Sequence, residues 1–97
     1  MQTCELDIDG ILFNGMRIPT QNGTILLIQG RTANLGCGYF TTATADRLND
    51  RFAIVTGVGS FADMMEAKVV AVSAAAAACG VTAGMSGREA LLSMEKC

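Results

Sequence analysis

The chain has 97 residues, a net charge of −2 and 51% hydrophobic residues. This length predicts one domain spanning residues 1–97. The lack of a basic cluster excludes an ordinary nucleic-acid partner. The chain contains no histidine, which excludes Ser–His and Cys–His nucleophile pairs and histidine metal ligands. We therefore expect no metal and no cofactor.

The location of the protein is predicted from its amino-terminal residues and its apolar segments. The amino-terminal residues are acidic, so no signal peptide is expected. The apolar run at 69–79 is shorter than the roughly 20 residues that a bilayer requires. These features predict a cytoplasmic protein without a membrane partner. In that reducing compartment all cysteines are predicted to be free thiols, at Cys4, Cys37, Cys79 and Cys97.

The first two strands are predicted from alternating hydrophobicity and turn residues. Residues 4–13 form a predicted strand with one wet face, in which Gly10 marks a bulge or bend. Asn14-Gly15 is a strong hairpin signal and predicts a returning strand at 16–18. Because Pro19 has no N–H to donate to a sheet, we expect the returning strand at an edge.

Two buried strands are predicted in the middle of the chain. Residues 24–29 are continuously apolar, which is typical of a central strand covered on both faces. Residues 33–40 form the predicted hairpin partner of this strand. A short helix ending at Leu48 follows, and residues 52–55 form the next buried strand.

The segment from Ser60 to Cys79 predicts one long helix, because strong helix formers fill it and neither Gly nor Pro interrupts it. Its second half carries no charge, and a helix that is apolar nearly all round needs cover on more than one side. So short a chain has little material for that cover, so we expect self-association into a homo-oligomer. Ser86 and Glu89 then predict a capping box that starts a last helix.

The predicted order of elements is β-β-β-β-α-β-α-α. Hairpins come first and are followed by one β-α-β crossover. This order predicts a mixed α/β, or α+β, fold with a single mixed sheet of about five strands and helices packed on it.

Lys68 is the first candidate for a functional residue. On the predicted long helix it lies among apolar side chains and has no charged partner one turn away. A buried ammonium without a partner is unstable or loses its proton. Lys68 must therefore reach water, pair with a distant acid, or meet a ligand, and the first two roles are favoured over a ligand-binding or catalytic role.

Cys37 and Tyr39 form the second candidate, on a predicted strand whose other side carries Gly36 and Gly38. The bare glycine side favours close packing of the alanine-rich helix. The alternative makes Cys37 an accessible thiol at a ligand site with Tyr39 beside it. Packing is favoured, since free cysteines are mostly buried and inert.

The glycine-rich turn before the long helix is the third candidate. It consists of Thr56, Gly57, Val58, Gly59 and Ser60. Backbone N–H groups at a helix start attract anions, so the turn is a candidate site for a small anionic ligand, although a tight turn explains it equally well. On the first strand, Asp7 and Asp9 share one side, where a solvated face is favoured over a metal or acid–base pair.

Four segments carry a resemblance to a known family. They are Cys37-Gly38, Thr56-Gly57-Val58 with Phe61-Ala62-Asp63-Met64, Ala67-Lys68-Val69, and Gly84-Met85-Ser86-Gly87-Arg88-Glu89-Ala90-Leu91. In these segments the chain resembles the YunC-like family of prokaryotic and archaeal proteins, a domain of unknown function. The resemblance implies a compact α/β fold and no assigned activity or cofactor. The chain departs from the family pattern in its short helix and at Ala62, where an acid is expected.

Two functions follow from these features. The first is a homo-oligomeric ligand-binding or interaction domain without chemistry of its own. The second is a small enzyme, or a binding protein for an anion or small molecule, whose pocket combines Cys37, Lys68 and the turn at 57–59. A redox sensor that uses Cys4 or Cys97 is a third and less supported hypothesis.

Overall fold

The computed structural model describes residues 1–97 and contains one mixed sheet of six strands with four helices. The strands are β1 (Gln2–Ile8), β2 (Ile11–Pro19), β3 (Thr24–Gln29), β4 (Asn34–Gly36), β5 (Ala53–Ile54) and β6 (Ala71–Val72). The helices are α1 (Thr42–Leu48), α2 (Phe61–Glu66), α3 (Ala74–Ala78) and α4 (Gly87–Lys96). None of these helices has the length and hydrophobicity needed to span a bilayer.

The strands lie in the sheet in the order in which they occur along the chain. All neighbours are antiparallel except β4 and β5, which are parallel and are connected through α1. The predicted mixed fold is therefore confirmed, with six strands where the sequence predicted about five.

The first hairpin turns at Asp9 and Gly10, whose φ angles of 54° and 82° lie in the left-handed region. The turn predicted at Asn14-Gly15 is wrong, because both residues lie inside β2. Gly15 serves packing instead: a Cβ there would lie 2.8 Å from the ring of Phe61. Asp-Gly and Asn-Gly favour the same tight turn, so local sequence alone does not choose between the two positions.

The second strand is not at an edge of the sheet. β2 pairs with β1 on one side and β3 on the other, so the edge position predicted from Pro19 is wrong. Pro19 is the last residue of β2. The predicted central position of β3 is correct, but only one face is fully covered: Leu26 and Ile28 are buried, whereas Ile25 and Leu27 are half-buried.

The predicted long helix over 60–79 is wrong, because the segment forms α2, an extended stretch with β6, and then α3. The extended stretch joins the sheet: the N–H groups of Val70 and Ser73 donate to the carbonyls of Ile54 and Phe52 at 2.8 Å each. Sheet pairing thus overrides local helix propensity. Val70 is 53% exposed, so the argument for self-association from a fully covered helix does not hold.

The core is closed by α4, which packs against β4 and α2. The serine half of its predicted capping box is confirmed, since the Ser86 hydroxyl accepts the N–H of Glu89 at 3.1 Å. The Glu89 carboxylate accepts the Ser86 hydroxyl at 3.2 Å and not a backbone N–H as predicted. Gly87 is buried, and its N–H donates to the Ala67 carbonyl at 2.9 Å. A Cβ on Gly87 would overlap the Met64 carbonyl oxygen. Glycine at this position therefore allows α4 to approach the end of α2.

Two of the cysteines form a disulfide, Cys79 with Cys97, with a Cα–Cα distance of 5.5 Å. The prediction of four free thiols is wrong for this pair, which joins the end of α3 to the end of α4. The other two cysteines are free: Cys4 is exposed and Cys37 is buried.

Candidate functional site

A cleft of about 290 Å³ lies at the carboxyl ends of the parallel strands β4 and β5. The chain that leaves β4 and the chain that leaves β5 form its two sides. Its lining residues are Thr24, Cys37, Gly38, Tyr39, Gly57 and Val58. This carboxyl-end cleft brings together two of the three predicted candidate groups, the cysteine segment and the glycine-rich turn.

Cys37 forms part of the cleft wall, and its side chain is held against β3. Its N–H donates to the Leu26 carbonyl at 3.1 Å, and its Sγ accepts the Leu26 N–H at 3.3 Å. Only 4% of the residue is exposed. The thiol therefore has one fixed orientation at the cleft.

Tyr39 covers one side of the cleft, and its ring is fixed from the turn between β2 and β3. Its hydroxyl lies 2.9 Å from the Thr20 hydroxyl. A Cβ on Gly23 would lie 3.2 Å from the Tyr39 hydroxyl oxygen, so the turn contacts the tyrosine side chain closely. Because its hydroxyl already has this partner, Tyr39 is better placed to position a ligand than to exchange protons with it.

Side chains at the start of α2 satisfy two N–H groups at and next to the turn at 56–60. The Ser60 hydroxyl accepts the N–H of Asp63, and the Asp63 carboxylate accepts the N–H of Gly59, both at 3.1 Å. A carboxylate thus already occupies the position that an anion would take. Gly57 has a φ of 70° and open space where a Cβ would point. The turn therefore favours an uncharged ligand over an anionic one.

Lys68 lies outside the carboxyl-end cleft, and the prediction that its amine is buried among apolar side chains is wrong. The residue is exposed and forms a bridge with Ser86 in extended backbone. The one salt bridge of the chain joins Arg88 to Asp9. The lysine is therefore exposed to water, which agrees with the first of its three predicted roles. It has no acidic partner.

The other predicted candidates have structural roles. Gly36 faces the rings of Phe40 and Phe52, which a Cβ would approach to 2.5 and 2.7 Å, so these rings cover it where an alanine-rich helix was predicted. The Asp7 carboxylate accepts the N–H of Gly10 at 2.8 Å and closes the first turn. No three Cys, Asp or Glu side chains converge in a way that could hold a metal ion.

A second cleft, of about 480 Å³, lies at the opposite ends of the same two strands. Residues 29–34, which lead into β4, and residues 49–51, which lead into β5, line it. This amino-end cleft was not predicted. The signal for it was present in Arg31 and Arg51, one on each segment that precedes a strand of the parallel pair.

Glu95 of α4 holds one wall of the amino-end cleft. Its carboxylate accepts the N–H groups of Arg31, Thr32 and Ala33 at 2.6, 2.9 and 3.0 Å. Burial of the carboxylate would raise the pKa of Glu95, but the hydrogen bonds from Thr32, Arg31 and Ala33 outweigh burial and lower it. Glu95 therefore stays ionised and fixes the turn between β3 and β4.

Comparisons with known proteins agree with this fold. A crystal structure of a protein of unknown function from Thermoplasma acidophilum superposes with a TM-score of 0.91 at 28% sequence identity. The match covers 96% of this chain and 91% of that chain. Among curated proteins, none gives a significant match. A family model described as a domain of unknown function (DUF1805) matches residues 36–94. The matched region contains five of the six residues that line the carboxyl-end cleft, three of the nine that line the amino-end cleft, and α4 as far as Met94. The chain belongs to the DUF1805 family.

Proposed function

We propose that the chain is a binding domain for a small uncharged molecule, held in the carboxyl-end cleft. The observation that supports this function is the cleft itself, which opens where β4 and β5 both end. Ligands of open α/β sheets bind outside the carboxyl ends of parallel strands. Its volume of about 290 Å³ suits a compact ligand, near the lower limit of typical binding pockets.

The chemistry of the lining favours binding over catalysis. The cleft offers a thiol, an aromatic ring, a valine and exposed glycine backbone, but no carboxylate and no amine. A nucleophilic cysteine needs a neighbouring base or positive charge to form its thiolate. Lys68, the charged group predicted for this pocket, does not line the cleft. An uncharged ligand therefore fits this lining better than an anion or a covalent substrate does.

The test combines thiol labelling with a fragment screen. Methyl methanethiosulfonate, a small uncharged reagent, should modify Cys37 in the native protein, more slowly than it modifies exposed Cys4. Uncharged fragments that shift the amide resonances of Gly38, Gly57 and Val58 should slow labelling of Cys37 and leave Cys4 unchanged. If Cys37 reacts only as fast as the protein unfolds, and no fragment shifts these resonances, the proposal is wrong.

A matched pair of variants separates cleft binding from a general loss of stability. Gly38→Val should fill the cleft and abolish fragment binding, because Gly38 lines it. The fold should tolerate this substitution, because a Cβ at Gly38 makes only an ordinary contact, 3.6 Å from Thr56. Gly59→Ala should keep fragment binding, since Gly59 lies in the same turn region without lining the cleft. Equal loss of binding in both variants would contradict the assignment.

We propose self-association through the outer face of β2 and β3 as a second function. Cross-strand pairs Met16–Leu27 and Ile18–Ile25 lie on this face, and Leu12 on the same side is 61% exposed. An exposed apolar sheet face is typical of an interface. This face, and not the segment after Met65, now supports the expected homo-oligomer.

Sedimentation of the purified chain over a range of concentrations tests the second function. A species of twice the 10.1 kDa chain mass should appear and should be lost in Leu12→Asp. Leu48→Asp is the matched control, because Leu48 is 65% exposed but lies on α1. A monomer at all concentrations would contradict this function.

The YunC-like family name, the cytoplasmic location and the prokaryotic origin stay predictions.

A further inference from the structure

The amino-end cleft differs from the rest of the chain in charge. The protein has a net charge of −2, yet two arginines, Arg31 and Arg51, and only one acidic residue, Asp50, line this cleft. Only one of its nine lining residues is hydrophobic. The cleft is therefore unsuited to an apolar ligand and locally attracts negative charge.

Most of the donors of these two guanidinium groups have no partner in the protein. Arg51 donates once, from Nη1 to the Met94 carbonyl at 3.0 Å. The exposed side chain of Arg31 makes no hydrogen bond within the chain. Since each guanidinium carries five N–H donors in a planar fork, both can still bind an oxyanion.

The walls that carry the two arginines are fixed before any ligand arrives. The Asn34 amide donates to the Arg51 carbonyl at 2.9 Å and so joins the two sides. Glu95 holds the backbone of 31–33 from behind the wall. A Cβ on Gly30 would lie 2.5 Å from this carboxylate, so glycine permits the close approach. Such fixed walls reduce the entropy lost when a ligand binds.

The carboxylates near the cleft limit the negative charge that a ligand can carry. Glu95 is engaged by three backbone N–H groups, so it competes weakly for the guanidinium groups. Asp50 has no side-chain partner in the protein and opposes added negative charge. A group with a single negative charge is therefore favoured over a dianion.

We propose that the amino-end cleft binds a small molecule through one singly charged oxyanion, a carboxylate or a phosphate monoanion, held between Arg31 and Arg51. This site is separate from the carboxyl-end cleft and does not depend on a ligand there. Arg51 is anchored to α4 and provides a fixed donor, while Arg31 closes over the oxyanion from the β3–β4 turn.

Amide resonances recorded during titration test the proposal, with sodium acetate and inorganic phosphate as the two probes. The titrations are run at constant ionic strength and at mildly acidic pH, where the phosphate monoanion dominates. At least one probe should give saturable shifts confined to residues 30–34 and 49–51. Saturation by acetate alone identifies a carboxylate site, and saturation by phosphate alone identifies a phosphate site.

Variants of single arginines make the test specific. Arg31→Gln should weaken binding about tenfold, the loss typical of a charge-assisted hydrogen bond, and should leave unfolding unchanged because the side chain has no partner. Arg47→Gln, an exposed arginine outside the cleft, should change affinity less than about twofold. Equal effects of the two variants, or shifts that fail to saturate with both probes, would overturn the proposal.

Discussion

Helices α2 and α4 begin with the same capping chemistry but differ in length and in what they support. Each starts after a serine whose hydroxyl accepts an N–H three residues later, Ser60 from Asp63 and Ser86 from Glu89, at 3.1 Å in both cases. α2 ends after six residues, whereas α4 continues for ten. α4 supplies three core side chains, those of Ala90, Leu91 and Met94. The cap fixes where a helix begins, and tertiary contacts decide how far it extends.

The ends of the two helices also differ in their partners. After Glu66 the chain leaves α2 and becomes extended. The last turn of α4, in contrast, is joined to α3 by the disulfide and to the amino-end cleft by Glu95. The carboxyl-end cleft thus lies beside the start of the short helix α2, whereas the amino-end cleft is held by the end of the longer helix α4. Three measurements test this difference.

The largest effect is expected from glycine substitutions at the two helix starts. Gly87→Ala should destabilise the fold by about 3 kcal/mol, because the new methyl would overlap the Met64 carbonyl, and backbone cannot move aside cheaply. Gly59→Ala should cost less than about 0.5 kcal/mol, since its Cβ would lie 3.7 Å from Asp63. Urea denaturation measures both, and similar losses would remove the distinction between α2 and α4.

A loss of similar or slightly smaller size is expected when the disulfide at the end of α4 is removed. The sequence separation of Cys79 and Cys97 is 18, and closing a loop of that size in the unfolded chain stabilises a protein by about 3 kcal/mol in the chain-entropy model. Reductant, or Cys97→Ser, should therefore shift the urea midpoint down. Cys4→Ser is the control and should have no effect. An unchanged midpoint in reductant would show that α4 needs no such link.

The smallest effect concerns Glu95. Its pKa is below the usual value of 4.5, so its stabilisation is complete above that pH and is lost as the pH falls through the folded-state pKa. Glu95→Gln should lower stability at neutral pH by about 1 kcal/mol, because charge-assisted hydrogen bonds become neutral ones. The free energy of unfolding of this variant should also fall less between neutral and acidic pH than that of the unsubstituted protein. Glu66→Gln, at an exposed site, should change neither property.

The features that were predictable from sequence are those set by neighbouring residues. The caps at Ser60 and Ser86, the short helix ending at Leu48 and the apolar strand at 24–29 all follow from local patterns. The sequence also predicted that Cys37, placed on the strand at 33–40, lies near the turn at 57–59. In the structure β4 ends at Gly36 and β5 at Ile54, and Cys37 lines one cleft with Gly57 and Val58. Parallel neighbours end at the same edge, so this part of the site follows from topology alone.

The features that were missed depend on residues far apart in the chain. Nothing local distinguishes Asp9-Gly10 from Asn14-Gly15 as the turn, and Phe61, which contacts Gly15, lies 46 positions further along the sequence. The segment after Glu66 has helix-forming alanines, but the Val70 N–H donates to the carbonyl of the β5 residue Ile54 instead. The wrong placement of Lys68 among apolar side chains follows from the predicted long helix over 60–79. Glu95 reaches the turn at 31–33 across more than 60 residues, so the amino-end cleft could not be assembled from local patterns.

The sequential order of the sheet has a consequence for synthesis on the ribosome. Each strand pairs with the one made just before it, so the sheet can grow from the amino terminus as the chain emerges. The side chains of α4 that fill the core arrive after all six strands. A nascent chain therefore displays a paired sheet with an uncovered apolar side until α4 leaves the exit tunnel, and this interval is when chaperones have most surface to bind.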